Sequence, residues 1–171
     1  AKSRVEQLKG QGISGELNID WKGLKSRKLN ITDPYVKSTF TGLKNAGIET
    51  IYGSAAFNDQ GELEVEGKTY QAKTYIIATG SRPRLLDIAG KEFLKTSNDF
   101  LALEEFPAQI SFLGSGPISL ELAQIAKAAG SDATIISRKK ASVAHFDEEM
   151  GQEFISYLKA QGIKFIEDIS V

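Results

Sequence analysis

The chain has 171 residues, of which 41% are apolar and 25% charged, with a formal net charge of −1 and no cysteine. This composition is typical of one ordinary globular domain or two small ones, and the balanced charge argues against a nucleic-acid binder because no basic excess can displace counterions from phosphates. The lack of cysteine excludes disulfides, thiolate zinc sites and thiol catalysis within these residues. Because the sequence has neither a signal-peptide pattern nor an ~18-residue apolar run, we expect a cytoplasmic protein that contacts no membrane.

The first predicted element is a helical region over residues 19–46, where charged side chains are interleaved with apolar ones. Asp20 is a suitable N-cap, because its carboxylate can accept a hydrogen bond from a free amide of the first turn. Pro34 lacks a backbone donor and clashes with the preceding turn, so we expect it to kink or split the helix. With Thr32 or Asp33 capping a second helix, the region is predicted to be a helical hairpin or a kinked pair.

Residues 48–78 are predicted to form a small antiparallel β-meander followed by one buried strand. Short β-prone runs alternate there with the turn sequences Asp59-Gln60-Gly61 and Glu66-Gly67-Lys68. Glycine accepts the positive φ that such tight turns need. The apolar run over residues 74–78 predicts the last strand, which ends in the small turn Thr79-Gly80.

From residue 109 onward the predicted elements alternate between strands and helices. The strands cover residues 109–114, 132–137 and 164–171, and the helices cover 118–129 and 147–160. Asp147 is the predicted cap of the second helix. This β-α-β-α-β order predicts a parallel sheet with right-handed crossovers, as at the start of a Rossmann-type nucleotide-binding domain.

A glycine-rich turn lies between the first of these strands and its helix, with the sequence Gly114-Ser115-Gly116-Pro117-Ile118-Ser119. In the G-x-G-x-x-G pattern the first glycine allows the tight turn, the second lets the backbone approach a diphosphate, and the third position must be small. The diphosphate would bind free amides at the helix N-terminus. The strand–turn–helix context favours a dinucleotide site over a tight turn without a ligand, which remains the alternative.

The end of the second strand carries the basic sequence Ser137-Arg138-Lys139-Lys140. An NAD site usually has an acidic residue here, which binds the ribose 2′-hydroxyl. A serine followed by three cations instead favours a 2′-phosphate, to which Arg138 can donate two parallel charge-assisted hydrogen bonds. NADPH is therefore predicted over NADH, and a solvated basic turn is the alternative.

Three stretches together resemble the flavin-dependent pyridine nucleotide–disulfide oxidoreductases, and most of all their glutathione reductase-like branch. They are IIATGSRP, the segment from Thr96 to Pro107, and ISFLGSGPISLELA. Their order and spacing match the family over essentially the whole chain. This combination is far more specific than any single motif.

The resemblance implies an α/β fold made of two incomplete domains. Residues 1–85 would be the last part of the first FAD-domain segment, 86–106 a connector, and 107–171 the first part of an NADPH-binding domain. It implies FAD contacts at Ala55, Ala78, Thr79 and Gly80. It implies NADPH contacts around Gly114, Ser115, Gly116, Ile118, Ser119, Glu121, Arg138, Lys139 and Lys140.

The resemblance also implies that the redox centre lies outside this chain. The FAD fingerprint and the C-x-x-x-x-C disulfide, with a lysine partner for Glu121, are expected upstream, and a dimerisation domain with the catalytic His-Glu pair is expected downstream. We therefore expect no catalytic residue and no metal site here, and a parent protein that is a homodimer. Pro117 replaces a common gating tyrosine, and Ala144 replaces a second phosphate-binding arginine.

Three functional hypotheses follow from the sequence. In the first, the chain is part of an FAD- and NADPH-dependent disulfide oxidoreductase, inactive by itself and unable to retain FAD, with small-molecule dinucleotides as its partners. In the second, it is a non-catalytic nucleotide-binding module. In the third, it binds neither cofactor and self-associates through exposed sheet edges. His145, the single histidine, is expected to have a surface or capping role.

Overall fold

The computed structural model describes residue 5, residues 7–141, residue 143 and residues 147–169. Ala144 and His145, which the sequence singled out, lie outside the described residues. The chain divides into two units, one made of Arg27–Arg84 and the other of Ala1–Ser26 with Leu85–Val171. Among the described helices, none has both the length and the apolar character that a membrane crossing requires.

Helix α1 spans Trp21–Asn45 and has a capping interaction at each end. At its start, a backbone N–H of the first turn donates to Oδ1 of Asp20 at 3.0 Å, which confirms the predicted N-cap. At its end, Gly47 takes a φ of +74° and the Ile48 N–H donates to the Leu43 carbonyl at 3.0 Å. This 6→1 hydrogen bond is the signature of a Schellman motif.

The prediction of two helices, as a hairpin or a pair divided at Pro34, is wrong, because α1 is one helix that includes Pro34. An interior proline costs ~3 kcal/mol, but that cost falls on a single turn, with helical hydrogen bonds retained on both sides. The predicted second cap does not form either. The Thr32 hydroxyl donates to the Asp33 carboxylate at 3.4 Å, so the two side chains bond to each other.

The predicted β-meander is confirmed. Strands β1 (Ala55–Phe57), β2 (Leu63–Val65) and β3 (Lys68–Tyr70) form an antiparallel sheet in the order β1-β2-β3. Asn58 shapes the first turn, since its side-chain oxygen accepts from the Gln60 and Glu62 amides at 3.1 and 2.8 Å. This is the local side-chain bonding that favours asparagine in turns.

The buried strand predicted over residues 74–78 is absent from the structure. The segment has no regular strand pairing, and the side chains of Ile76 and Ile77 are 88% and 76% exposed. A strand needs a neighbouring backbone with which to form its ladder. The meander strands pair with one another, and no described strand pairs with this segment.

A connector of short helical elements precedes the second sheet. It holds a 3₁₀ turn (Lys91–Phe93) and helix α2 (Ser97–Ala102). A capping box starts α2, in which the Thr96 side chain accepts from the Asp99 amide and the Asp99 carboxylate accepts from the Thr96 amide. The indole N–H of Trp21 donates to the Leu103 carbonyl at 2.7 Å, which ties the start of α1 to this connector.

The second sheet confirms the predicted β-α-β-α-β order. Its elements are β4 (Gln109–Leu113), α3 (Pro117–Ala128), β5 (Asp132–Ile136), α4 (Glu148–Ala160) and β6 (Lys164–Ile166). The strands are parallel and lie in the order β4-β5-β6. Asp147 caps α4 by accepting from the amides of Glu149 and Met150 at 3.0 and 3.1 Å, as predicted.

One hydrophobic core holds this second sheet to its helices. Leu120 and Ala123 of α3, Ile135 of β5 and Leu158 of α4 are almost fully buried in it. Burying a large aliphatic side chain contributes roughly 1.5–3 kcal/mol. The core therefore holds both helices against the sheet, and with them the loops at its carboxyl edge.

Candidate dinucleotide-binding site

The turn between β4 and α3 has a backbone that only glycine adopts easily. Gly114 has a φ of +95°, and its N–H donates to the Ile136 carbonyl at 2.8 Å. Open space surrounds the positions where side chains at Gly114 and Gly116 would lie, with nothing within 4 Å. The turn is therefore strained for other residues and leaves its backbone open to a ligand.

The N-terminus of α3 presents free amides next to this turn. Gly116 is the N-cap, and the first helical hydrogen bond runs from the Leu120 N–H to the Gly116 carbonyl at 3.1 Å. The amides of Ile118 and Ser119 precede it and have no acceptor within the helix. Pro117 takes the first helical position, where its missing N–H removes no helical bond. With no acidic residue in its first turn, this helix end suits an anion.

The predicted side chains of this motif have different degrees of exposure. Ser115 and Ser119 are half-buried, whereas Glu121 is exposed and Ile118 is 61% exposed. Ser119 occupies the third position of the motif, which packs helix against strand. Their roles as cofactor contacts stay predictions.

The basic loop after β5 begins at a buried serine. Ser137 is 5% exposed, and its hydroxyl donates to the Lys139 carbonyl at 2.7 Å. Its backbone N–H and carbonyl bond to Ile166 and Ile169 at 2.9 and 3.1 Å. Arg138, Lys139 and Lys140 are exposed.

The glycine turn and the basic loop start side by side. Leu113 and Ile136 are register partners in the parallel ladder, and Gly114 and Ser137 follow them directly. In open α/β sheets, ligands bind at this carboxyl edge of the strands. The fold thus brings the glycine turn and the cationic loop to one edge of the parallel sheet.

The residues predicted to contact FAD are not gathered in this way. Ala55 is exposed in β1, at the edge of the meander, and residues 78–80 lie in an exposed segment outside the sheet. Gly80 has a φ of +74°, as expected for a small turn. No hydrogen bond between described residues joins Ala55 to this turn. These residues do not by themselves form a cradle for a flavin nucleotide.

Two residues at this edge were missed by the sequence reasoning. The Ala141 N–H donates to Oε1 of Glu167 at 2.8 Å, and the Ala141 carbonyl accepts from Nε2 of Gln152 at 3.3 Å. The sequence predicted a strand over residues 164–171, but β6 ends at Ile166 and Glu167 directly follows it. The predicted bounds put Glu167 inside the strand, so they gave no signal for its position at the carboxyl edge. Gln152 carried no signal either, because it lies within a helix.

Comparisons with known proteins agree with this architecture. The model of the family described as pyridine nucleotide-disulphide oxidoreductase matches residues 4–171. A dihydrolipoyl dehydrogenase of Mycoplasma genitalium is 33% identical over 168 residues, covering 95% of this chain and 37% of that protein. A chloroplastic/mitochondrial glutathione reductase of Pisum sativum is 34% identical over 159 residues, covering 91% of this chain and 28% of that protein.

A solved structure shows the same fold. It is a Cu(II) complex of the HOCl-induced flavoprotein disulfide reductase RclA from Escherichia coli, with a TM-score of 0.80 and 23% identity. The match covers 99% of this chain and 38% of that one. The chain thus spans less than two fifths of the length of each of these relatives. By the family match over residues 4–171, the chain belongs to the pyridine nucleotide–disulphide oxidoreductases.

Proposed function

We propose that this chain is the part of an FAD- and NADPH-dependent disulfide oxidoreductase that binds NADPH. The whole protein would transfer hydride from NADPH, via FAD, to a redox disulfide outside these residues. One observation carries the proposal. The open glycine turn at Gly114 and the cationic loop after Ser137 start from paired residues at one edge of a parallel sheet.

The diphosphate and the 2′-phosphate would be bound by different groups. The free amides of Ile118 and Ser119, at the positive end of the α3 dipole, would donate to the diphosphate. Gly114 and Gly116 would let the backbone approach it, because no side chain fills that space. When bound, the nicotinamide supplies the hydride. The task of these residues is to hold and orient the nucleotide.

The choice of NADPH over NADH rests on the start of the basic loop. Ser137 has no carboxylate, and its hydroxyl donates to the Lys139 carbonyl. Arg138 is exposed, and neither it nor Lys139 forms an ion pair within the described residues. A guanidinium that forms no ion pair with a described residue is available for bidentate binding of a phosphate.

The broader features of the parent protein rest on the family. The relatives include both a dihydrolipoyl dehydrogenase and a glutathione reductase, so the glutathione reductase-like branch is part of the proposal. A cytoplasmic, homodimeric parent that holds FAD with residues from other segments is proposed on the same resemblance. We also propose from this resemblance that Glu121 pairs with a lysine and that FAD is contacted by Ala55, Ala78, Thr79 and Gly80.

Calorimetric titration of the chain with NADPH and NADH tests the nucleotide assignment. We expect NADPH to bind more tightly than NADH. Arg138→Ala should weaken NADPH binding by about 1–3 kcal/mol, the range for hydrogen bonds to charged groups, and leave NADH almost unchanged. Lys164→Ala is the matched control, because it removes an exposed cation at the amino end of β6. Equal losses for both nucleotides in the Arg138 variant would contradict the assignment.

A non-catalytic nucleotide-binding module is the second candidate for the chain. The observation that favours it is the contrast between the two sets of predicted contacts, since the NADPH residues converge and the FAD residues do not. Reduction of a disulfide substrate by the protein that contains this chain, with NADPH as donor, separates the two. Activity supports the oxidoreductase, and nucleotide binding without activity supports the module.

A further inference from the structure

The basic loop is held at both of its ends. At one end, the buried Ser137 bonds to Lys139, Ile166 and Ile169. At the other end, Ala141 is 1% exposed, and both of its backbone polar groups are bonded to side chains. Only the stretch 138–140 between these ends faces solvent. The position of its cations therefore depends on the two anchors.

Of the two side chains bonded to Ala141, Glu167 is the more distant in sequence. Its Oε1 accepts the Ala141 N–H at 2.8 Å across 26 residues of sequence, and its Oε2 lies 3.2 Å from Nζ of Lys159 on α4. One carboxylate thus joins the loop, the end of β6 and a helix. Its side chain is only 22% exposed, so water competes weakly for these bonds.

The carboxylate of Glu167 is ionised in this setting. The Ala141 N–H is the largest cause that lowers the pKa of Glu167, and Lys159 and Lys140 lower it further. Burial acts in the opposite direction and raises the pKa, but the lowering causes prevail. The bond to Ala141 is therefore charge-assisted, a class of hydrogen bond about twice as strong as a neutral one.

We infer that Glu167 is a positioning residue for nucleotide selectivity, which holds Arg138 and its neighbours in place for a 2′-phosphate by anchoring Ala141. This role rests on the proposed NADPH function. Glu167 would touch no cofactor atom and would act only through the backbone of the loop. It is not among the residues to which the family resemblance assigned a cofactor contact.

Charge repulsion alone predicts the opposite change in NADPH affinity when Glu167 is removed. A carboxylate near the loop repels a phosphate, so removing its charge should tighten NADPH binding. If Glu167 positions the loop, its removal should instead loosen NADPH binding, because the cations lose their fixed geometry. The direction of the change therefore separates the two roles.

The test compares Glu167→Ala with Glu167→Gln in the full chain, titrated with NADPH and with NADH. We expect the alanine variant to bind NADPH about 3- to 10-fold more weakly, with NADH changed by less than about twofold. Glutamine retains an oxygen that can accept the Ala141 N–H, so it should restore the selectivity. Glu153→Ala is the matched control, since it removes an exposed carboxylate from α4 without touching Ala141.

Amide hydrogen exchange at Ala141 gives a readout that does not depend on the nucleotide. We expect faster exchange in the alanine variant and near-native exchange in the glutamine variant. Tighter NADPH binding by Glu167→Ala, equal weakening of both nucleotides, or unchanged Ala141 exchange would overturn the inference. If Arg138→Ala alters NADPH selectivity and Glu167→Ala does not, the positioning role fails and the proposed function stands. If the native chain shows no NADPH preference, both fail.

Discussion

At the scale of single residues, the Thr96–Asp99 pair makes a pH-dependent contribution to stability. The Thr96 amide is the largest cause that lowers the pKa of Asp99, followed by the Thr96 hydroxyl. Burial raises this pKa, and Lys95 lowers it. Because the pKa in the fold lies below the unfolded value near 3.8, ionised Asp99 stabilises the native state. That stabilisation is complete above the unfolded pKa and is lost as the pH falls through the folded pKa.

Asp99→Asn should therefore unfold more easily than the native chain at neutral pH, and the difference should shrink in acid. Urea unfolding at a series of pH values measures this effect. Glu153→Gln removes an exposed carboxylate outside the capping box and should show no such trend. A constant difference between Asp99→Asn and the native chain down to low pH would contradict the role of the ionised carboxylate.

Trp21 joins the start of α1 to the connector by both ring packing and a hydrogen bond. Its ring lies edge-on to Phe106, with 4.4 Å between centroids, while its Nε1 donates to the Leu103 carbonyl at 2.7 Å. Trp21→Phe retains an aromatic ring and leaves that carbonyl unpaired, so we expect a loss of about 1–3 kcal/mol in the free energy of unfolding. Circular dichroism during urea unfolding is the suitable measurement, because Trp21 is the single tryptophan. A native-like midpoint would contradict this expectation.

At the scale of elements, the two prolines in helices should respond differently to substitution. Pro34 lies inside α1, so Pro34→Ala adds a backbone donor and should stabilise that helix by up to about 3 kcal/mol. Pro117 occupies the first position of α3, so Pro117→Ala should change stability by less than about 0.5 kcal/mol. Urea unfolding measures both effects, and amide exchange within α1 reports the effect of Pro34→Ala. A similar gain from both variants would contradict this explanation.

Local sequence signals predicted several helix starts and turns correctly. Asp20 and Asp147 cap their helices, and the glycine turn at Gly114 follows the first parallel strand, because such features depend on a few neighbouring residues. The prediction of a strand over residues 74–78 was wrong for a different reason. β-propensity describes a suitable side-chain pattern, whereas a strand also needs a hydrogen-bonded neighbour.

Contacts between residues that are distant in the sequence could not be predicted from local sequence patterns. Glu167 and Ala141 are 26 residues apart, and only the register of β5 and β6 brings their loops together. The sequence therefore predicted which residues would touch a nucleotide, but it gave no sign of the carboxylate that bonds to Ala141. The single helix through Pro34 is a similar case, because a local cost was outweighed by the rest of a 25-residue helix.

At the scale of the whole molecule, the contrast between the two sets of cofactor residues predicts separate behaviour toward NADPH and flavin. The glycine turn and the basic loop are complete within one sheet, whereas Ala55 and residues 78–80 are exposed and Ile76 and Ile77 are uncovered. The purified 171-residue chain should therefore bind NADPH while showing no visible flavin absorbance. Fluorescence of the supernatant after heat denaturation checks for released flavin, with a flavin-free buffer as control. Flavin present in a one-to-one ratio with the chain would contradict this prediction, because it would require a cradle that these exposed residues do not provide.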